Sequence, residues 1–139
     1  MRIVLDGLAL QRRGHRVTIL TVPDSQIFLR RTEHGLPVIV QPLSHSFDLQ
    51  AIYRLVRLFK REKYQVVNTH SSVDSWVASA AAKLAGVPVL VRTRHLSVPL
   101  PTHPFNFVYH WPDAIVTTAE AIRQRMIAVN GMDGRRIIS

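Results

Sequence analysis

The feature that most constrains this chain is a repeated change of period. Short runs rich in β-branched residues, apolar on both faces, alternate with segments whose apolar residues recur at helical spacing. The runs are "HRVTILTV" (15–22), "LPVIVQPL" (36–43), "YQVVNTH" (64–70), "VPVLVRTRH" (87–95), "DAIVTT" (113–118) and a final "RRIIS" (135–139). Between them lie helical stretches: "DSQIFLRRTEHG" with Asp24 as a cap candidate, "FDLQAIYRLVRLFKREK", the alanine-rich "SSVDSWVASAAAKLAG" closed by Gly86, and "AEAIRQRMIAVNG". A strand apolar on both faces belongs inside a parallel sheet covered by its own crossover helices. The expected fold is therefore α/β, a Rossmann-like parallel sheet with helices on both faces. A hydrophobic fraction of 47% over 139 residues is enough for one domain with a real core. No repeat, linker or low-complexity segment interrupts it.

The two ends fit this scheme differently. "MRIVLDGLALQRRGH" leaves too few residues between Val4 and Gly14 for a strand, a loop and a crossover helix. Val4, Leu5, Leu8 and Ala9 share a helical face, so a single helix stopped at Gly14 is expected and the first strand of such a sheet is absent. Ser139 falls within a strand, so residues 1–139 read as one partial domain. An unpaired sheet edge left by the missing strand would invite self-association.

Composition narrows the partners. The chain has no cysteine, which excludes disulfide frameworks and thiolate metal sites and fits a reducing compartment. No apolar run is long enough to span a bilayer and no signal peptide opens the chain, so a cytoplasmic location is expected. Net charge is +9, and fifteen of the 18 basic residues are arginine, whose planar fork suits phosphate. Nucleic acid is disfavoured, because the aromatic residues cluster in "FNFVYHW" instead of interleaving with the basic ones.

Ligands of parallel sheets bind outside the carboxyl ends of the strands. Three such ends carry polar residues here. "NTHSS" brings His70, Ser71 and Ser72, with a helix start whose free N–H groups could meet an anion. "RTRHLS" brings Arg92, Arg94, His95 and Ser97. His95 is a candidate proton carrier or hydrogen-bond donor; the competing reading is a buried, satisfied histidine. Alternation puts Arg92 and Arg94 on one face, where two buried charges need an anion or a carboxylate. "TTAEA" brings Thr118 and Glu120, and Thr117-x-x-Glu120 has capping-box spacing, the favoured role for that glutamate. Phosphate-loop, nucleophile-elbow, dinucleotide and zinc-protease motifs are missing, and the seven histidines have no metal-ligand spacing. Along "FDLQAIYRLVRLFKREK", Leu49, Ile52, Tyr53, Val56 and Phe59 recur at helical spacing. Arg54, Arg57 and Arg61 form a basic stripe there, either a solvated face or a contact for anionic lipid. The aromatics Phe105, Phe107, Tyr109 and Trp111 are either core or an apolar lip.

Taken in order, these segments resemble a known family. "LALQRRGHRVTILT" is similar to the first helix and second strand of the N-terminal domain of family 4 glycosyltransferases. "VVNTHSSVDSWVASAAAKLAGVPVLVRTRHLS" and "AIVTTAEAIRQRM" resemble later elements of that domain, so the likeness covers nearly the whole chain. It implies the N-terminal, acceptor-side half of a GT-B architecture. The full-length enzyme would transfer a sugar from a nucleotide-sugar to a glycan or lipid-linked acceptor, with retention, without a bound metal and without a cofactor. Its setting would be cell-envelope polysaccharide or lipopolysaccharide synthesis, peripheral at the inner face of the cell membrane. By the same resemblance His95 matches a histidine of the active cleft, His70 and Ser71 face that cleft, and Thr118 and Glu120 lie on its rim. The family's first strand with its Gly-rich loop, and its donor-binding C-terminal domain, have no counterpart in these residues. Residues 1–139 alone are therefore expected to be inactive. Two alternatives stay open: a sugar-nucleotide 2-epimerase fragment, which needs acid/base carboxylates and has Asp74, Asp113 and Glu120 to offer, and a non-catalytic basic module binding lipid headgroups.

Overall fold

The computed structural model describes residues 2–95 and 107–139, excepting the side chains of Ser72 and Phe107. The chain divides into two compact units, residues 1–44 and 45–139.

The first unit is small. Helix α1 (Arg2–Arg12) is the single helix that "RIVLDGLALQR" predicts, and Gly14, at φ 87°, turns the chain after it. Strand β1 (Ile19–Thr21) pairs in parallel with β2 (Val38–Val40). Both strands are shorter than their apolar runs. Two one-turn helices connect them, α2 (Gln26–Leu29) and α3 (Arg31–His34), where one helix was expected. The cap is Ser25, not Asp24: the Ser25 hydroxyl accepts from the Phe28 amide at 3.1 Å. Asp24 sits instead at φ 59°, a left-handed conformation that aspartate tolerates better than most residues and that takes it out of cap position. The core of this unit is Val4, Ile19 and Leu36, flanked by Ile3, Leu8, Val17, Ile27 and Val38.

The second unit holds a four-stranded parallel sheet in the order β3-β4-β5-β6. The strands are β3 (Val66–Thr69), β4 (Val89–Arg94), β5 (Ala114–Thr117) and β6 (Ile137–Ile138). Helix α4 (Leu49–Glu62) precedes β3, α5 (Ser72–Ala85) joins β3 to β4, α6 (Phe107–His110) precedes β5, and α7 (Glu120–Ala128) follows β5. The α/β parallel character is as the sequence predicts, with two strands in the sheet of the first unit and four in that of the second.

Local signals set these helices. The Asp48 carboxylate accepts from the Ala51 amide at 2.9 Å and starts α4. Gly86, at φ 72°, ends α5 in the left-handed conformation that a side chain would resist. The face that α4 buries is narrower than its apolar spacing predicts: Ala51, Leu55 and Phe59 are buried, while Leu49 and Tyr53 are 77% and 63% exposed. The i, i+4, i+8 row through Ala51 meets α5, whose own Val77, Ala78, Ala81 and Ala82 are buried. The alanines of α5 leave room for Leu55 and Phe59, and that sets the rotation of α4.

A second core cluster joins β5, β6, α6 and α7 through Val108, Tyr109, Ile115, Ile122, Met126 and Ile137, with Trp76 of α5 packed against it. Asp113 staples the preceding loop to β4: its carboxylate accepts from the Leu90 amide and its own amide donates to the Leu90 carbonyl, both at 2.7 Å.

Candidate functional site

Parallel register lines up the carboxyl ends of three strands. Thr69 stands opposite Arg92, and Arg94 opposite Thr117. The next residue after β3 is His70 and the next after β4 is His95, so two histidines 25 positions apart in sequence become neighbours. His70 Nδ1 lies 3.1 Å from His95 Nε2. The rings are nearly parallel, 13° apart with centroids at 5.4 Å. One ring nitrogen must donate to the other, so the contact ties the tautomers of the two rings together. Both residues are half-buried.

Ser71 begins α5 but does not cap it with its oxygen. Its hydroxyl donates to the Asp74 carboxylate at 2.8 Å, and the His70 amide donates to the same carboxylate at 3.3 Å. Asp74 therefore reaches back from the first turn and anchors the His70–Ser71 corner. Its negative charge also occupies the helix start that the sequence offered to an anion. The Ser75 hydroxyl donates to the Ser71 carbonyl and tightens the same turn.

Behind His95 on the same strand stand the two arginines. Arg92 is 5% exposed. Its Nη2 donates to the Tyr109 hydroxyl at 3.2 Å, and its guanidinium lies 4.5 Å from the ring centroid. Arg94 donates to the same hydroxyl at 2.5 Å and lies 5.6 Å from the same ring. Of the two partners expected for a buried arginine, an anion or a carboxylate, no carboxylate pairs with Arg92 among the described residues; a phenol and its π-face stand beside it. Tyr109 is thus core and polar partner at once, a role that its sequence neighbours do not reveal because it acts across 15 to 17 residues. Ser97 and Phe105 lie outside the described residues. On the sheet face opposite Arg92, Thr93 donates to the Asn68 side-chain oxygen at 2.9 Å and couples β3 to β4.

The third strand end behaves differently. The capping box predicted at Thr117 and Glu120 does not form: α7 is capped at Ala119, without a side-chain hydrogen bond. The Thr117 hydroxyl points to the carbonyls of Ala119 and Ile138, at 3.3 and 3.4 Å. The chain needs two residues between β5 and α7, so Thr117 is still in the sheet when the helix begins. Glu120 accepts from the Ser139 hydroxyl at 2.6 Å, the Gln124 amide at 2.5 Å and the Arg123 guanidinium at 3.0 Å. These bonds, Ser139's foremost, hold its carboxyl at about 2, below the ordinary 4.5. Thr118 is half-buried in the turn before α7.

The basic stripe of α4 is exposed. Arg61 is paired to Glu62 at 2.9 Å, and Arg57 lies over the Tyr53 ring at 5.9 Å. Beside it is a shallow hollow of about 420 Å³, lined by Leu49, Gln50, Tyr53 and Arg54. Among the described residues no helix is long and apolar enough to cross a membrane, and no group of three or more His, Cys, Asp and Glu could hold a metal ion.

The pattern of Glycosyltransferase Family 4 matches residues 7–138. The chain belongs to that family. Over 60 residues it is 40% identical to the UDP-Gal:alpha-D-GlcNAc-diphosphoundecaprenol alpha-1,3-galactosyltransferase of Escherichia coli, a stretch covering 43% of this chain and 16% of the relative. Its fold resembles a glycosyltransferase from Rickettsia africae, with a TM-score of 0.71 at 15% identity over 99% of this chain and 38% of the other. It also resembles MurG of Acinetobacter baumannii, with a TM-score of 0.66 at 14% identity over 83% of this chain and 36% of the other. A third likeness is to Anabaena HepE, solved with UDP and glucose, with a TM-score of 0.69 at 16% identity over 97% and 38%. This family 4 chain spans well under half the length of each of these proteins.

Proposed function

We propose that this family 4 domain is the acceptor-side half of a glycosyltransferase, one that moves a sugar from a nucleotide-sugar to a glycan or lipid-linked acceptor of the cell envelope. The observation that carries the reading is the contact between His70 and His95 at two adjacent strand ends, in a chain whose family transfers sugars. His95 is placed to hydrogen-bond a sugar hydroxyl, with His70 fixing which nitrogen bears the proton. The E. coli relative acts on a diphosphoundecaprenol-linked sugar, and a lipid-diphosphate acceptor is in keeping with the arginine-rich β4. In this reading transfer proceeds with retention, with no resident metal or cofactor. Charge on the leaving diphosphate is met by basic groups and helix N-termini, largely from a donor-binding half outside residues 1–139.

The exposed Phe47, Leu49 and Tyr53 beside Arg54 and Arg57 give α4 an apolar and basic surface suited to an anionic leaflet, so the enzyme would work peripherally at the cytoplasmic face. The epimerase reading loses ground residue by residue. Asp113 staples a loop at the opposite end of the sheet, Asp74 anchors a turn, and Glu120 is held by three donors.

The test is direct. The domain is titrated with a soluble sugar–diphosphate–lipid analogue, and a two-domain protein carrying it is assayed for transfer from nucleotide-sugars. Acceptor binding by the domain and turnover by the two-domain protein are expected. Turnover by the two-domain protein without acceptor binding by the domain would overturn the acceptor-side assignment, and no turnover with any nucleotide-sugar would overturn the transferase reading.

A further inference from the structure

Arg92 is a buried cation with too few partners. Its Nη2 is satisfied by Tyr109, but its Nε and Nη1 are buried and have no hydrogen-bond acceptor among the described residues. No ion pair among the described residues includes it. The segment "LSVPLPTHPFN" (96–106), outside the described residues, contains neither aspartate nor glutamate, so no side-chain carboxylate can come from there. Tyr109 cannot do more, since its hydroxyl oxygen already takes two guanidinium donors. Thr69 stands in register with Arg92 on the same sheet face, and its hydroxyl is also buried without a partner among the described residues.

The groups gathered here are therefore nearly all donors: two guanidiniums and a threonine hydroxyl. What Arg92 and Thr69 lack among the described residues is acceptors, and Arg92 lacks negative charge beside it as well. A water molecule would supply acceptors without charge, and a neutral sugar hydroxyl would leave the buried cation uncompensated. A tetrahedral oxyanion supplies both, with several acceptor oxygens matched to guanidinium donors. We propose that Arg92, with Arg94 and Thr69, holds a phosphate-type oxyanion at the carboxyl end of β4. The half-buried Arg94 marks the outer side of the site, one residue before His95. The oxyanion site stands on Arg92 alone, whereas its assignment to the diphosphate of a lipid-linked acceptor rests on the transferase reading. Free inorganic phosphate is the other source of the same chemistry.

Binding of inorganic pyrophosphate to residues 1–139 is measured by calorimetry and by thermal shift, at constant ionic strength because a chain of net charge +9 attracts anions generally. Saturable binding is expected in the parent and in Arg125→Gln, which removes an exposed charge on α7. Arg92→Met should bind at least about tenfold more weakly. The same variant should melt no lower than the parent in anion-free buffer, because an uncompensated charge is replaced by an apolar chain of similar volume. If Arg92→Met fails to fold, Thr69→Val serves, with a loss of about threefold or more. Equal affinity in the parent and in these variants, or no saturable binding in the parent, overturns the site. Inorganic phosphate and a sugar–diphosphate–prenyl analogue then identify the source. An acceptor site favours the analogue at least about tenfold, and a free-phosphate site binds both alike. Loss of pyrophosphate binding with transfer by the two-domain protein intact removes this site only. Arg92-dependent binding without any transfer removes the transferase reading only.

Discussion

The carboxyl ends of β3 and β4 and the carboxyl end of β5 lie along one sheet and were equally polar in sequence, yet they are finished in opposite ways. At β5 the glutamate is saturated by donors from its own helix and from Ser139. At β3 and β4 two histidines meet each other, and a buried arginine keeps two nitrogens without acceptors among the described residues. Polar residues at a strand end are thus not equivalent. At β5 the carboxylate acceptor is matched by its donors, whereas at β4 the buried guanidinium has more donors than the phenol beside it can accept.

The sharpest way to break this comparison is by transfer rate in the two-domain protein. His95→Ala should lower kcat/KM about 100-fold, the usual cost of a positioned proton-handling group. His70→Ala should cost about tenfold, with partial rescue by His70→Asn, whose amide can still hydrogen-bond His95 and hold its tautomer. Equal rates for parent and both alanine variants would erase the distinction between the two ends.

Stability separates them next. Tyr109→Phe removes the described acceptor of a buried guanidinium and should cost about 1–3 kcal/mol in denaturant unfolding. Thr117→Val, losing two long hydrogen bonds, should cost under about 1 kcal/mol by the same measurement. A reversed order would mean that the β5 end is the more constrained one.

Glu120 gives the pH test. Its folded pKa of about 2 lies below the ordinary 4.5. The carboxylate therefore contributes stability that is fully present above about pH 4.5 and is lost as pH falls toward 2. Because the side chain is exposed and solvent-screened, the effect should be small. Glu120→Gln should flatten the fall in Tm across that window and leave transfer within about twofold. The smallest effect on stability belongs to α4: replacing Arg54, Arg57 and Arg61 by glutamine should leave Tm unchanged while weakening co-sedimentation with anionic vesicles, each charge contributing about 1 kcal/mol or less at the surface.

Much of the fold was legible in the residues. The change of period placed every strand, and Gly86 and Gly35 marked helix ends where the backbone turns left-handed. Misplaced features share one cause. Asp24 against Ser25, and Thr117 against Ala119, are choices between adjacent residues of similar propensity, settled by where the strand stops and how the chain turns. The buried face of α4 was displaced toward Ala51 because α5 presents alanines, which apolar spacing along α4 alone does not report.

Sequence by itself determined the α/β alternation, the parallel pairing and the row of polar strand ends, because those follow from hydrophobic period and from the direction that crossover connections impose. Tertiary structure alone decided that His70 would face His95, that one tyrosine would receive two arginines, and that Arg92 would be left short of acceptors among the described residues. Each of these contacts joins residues 15 to 25 positions apart. Their meeting depends on strand register and on the angle at which α6 packs, neither of which leaves a local mark in the chain.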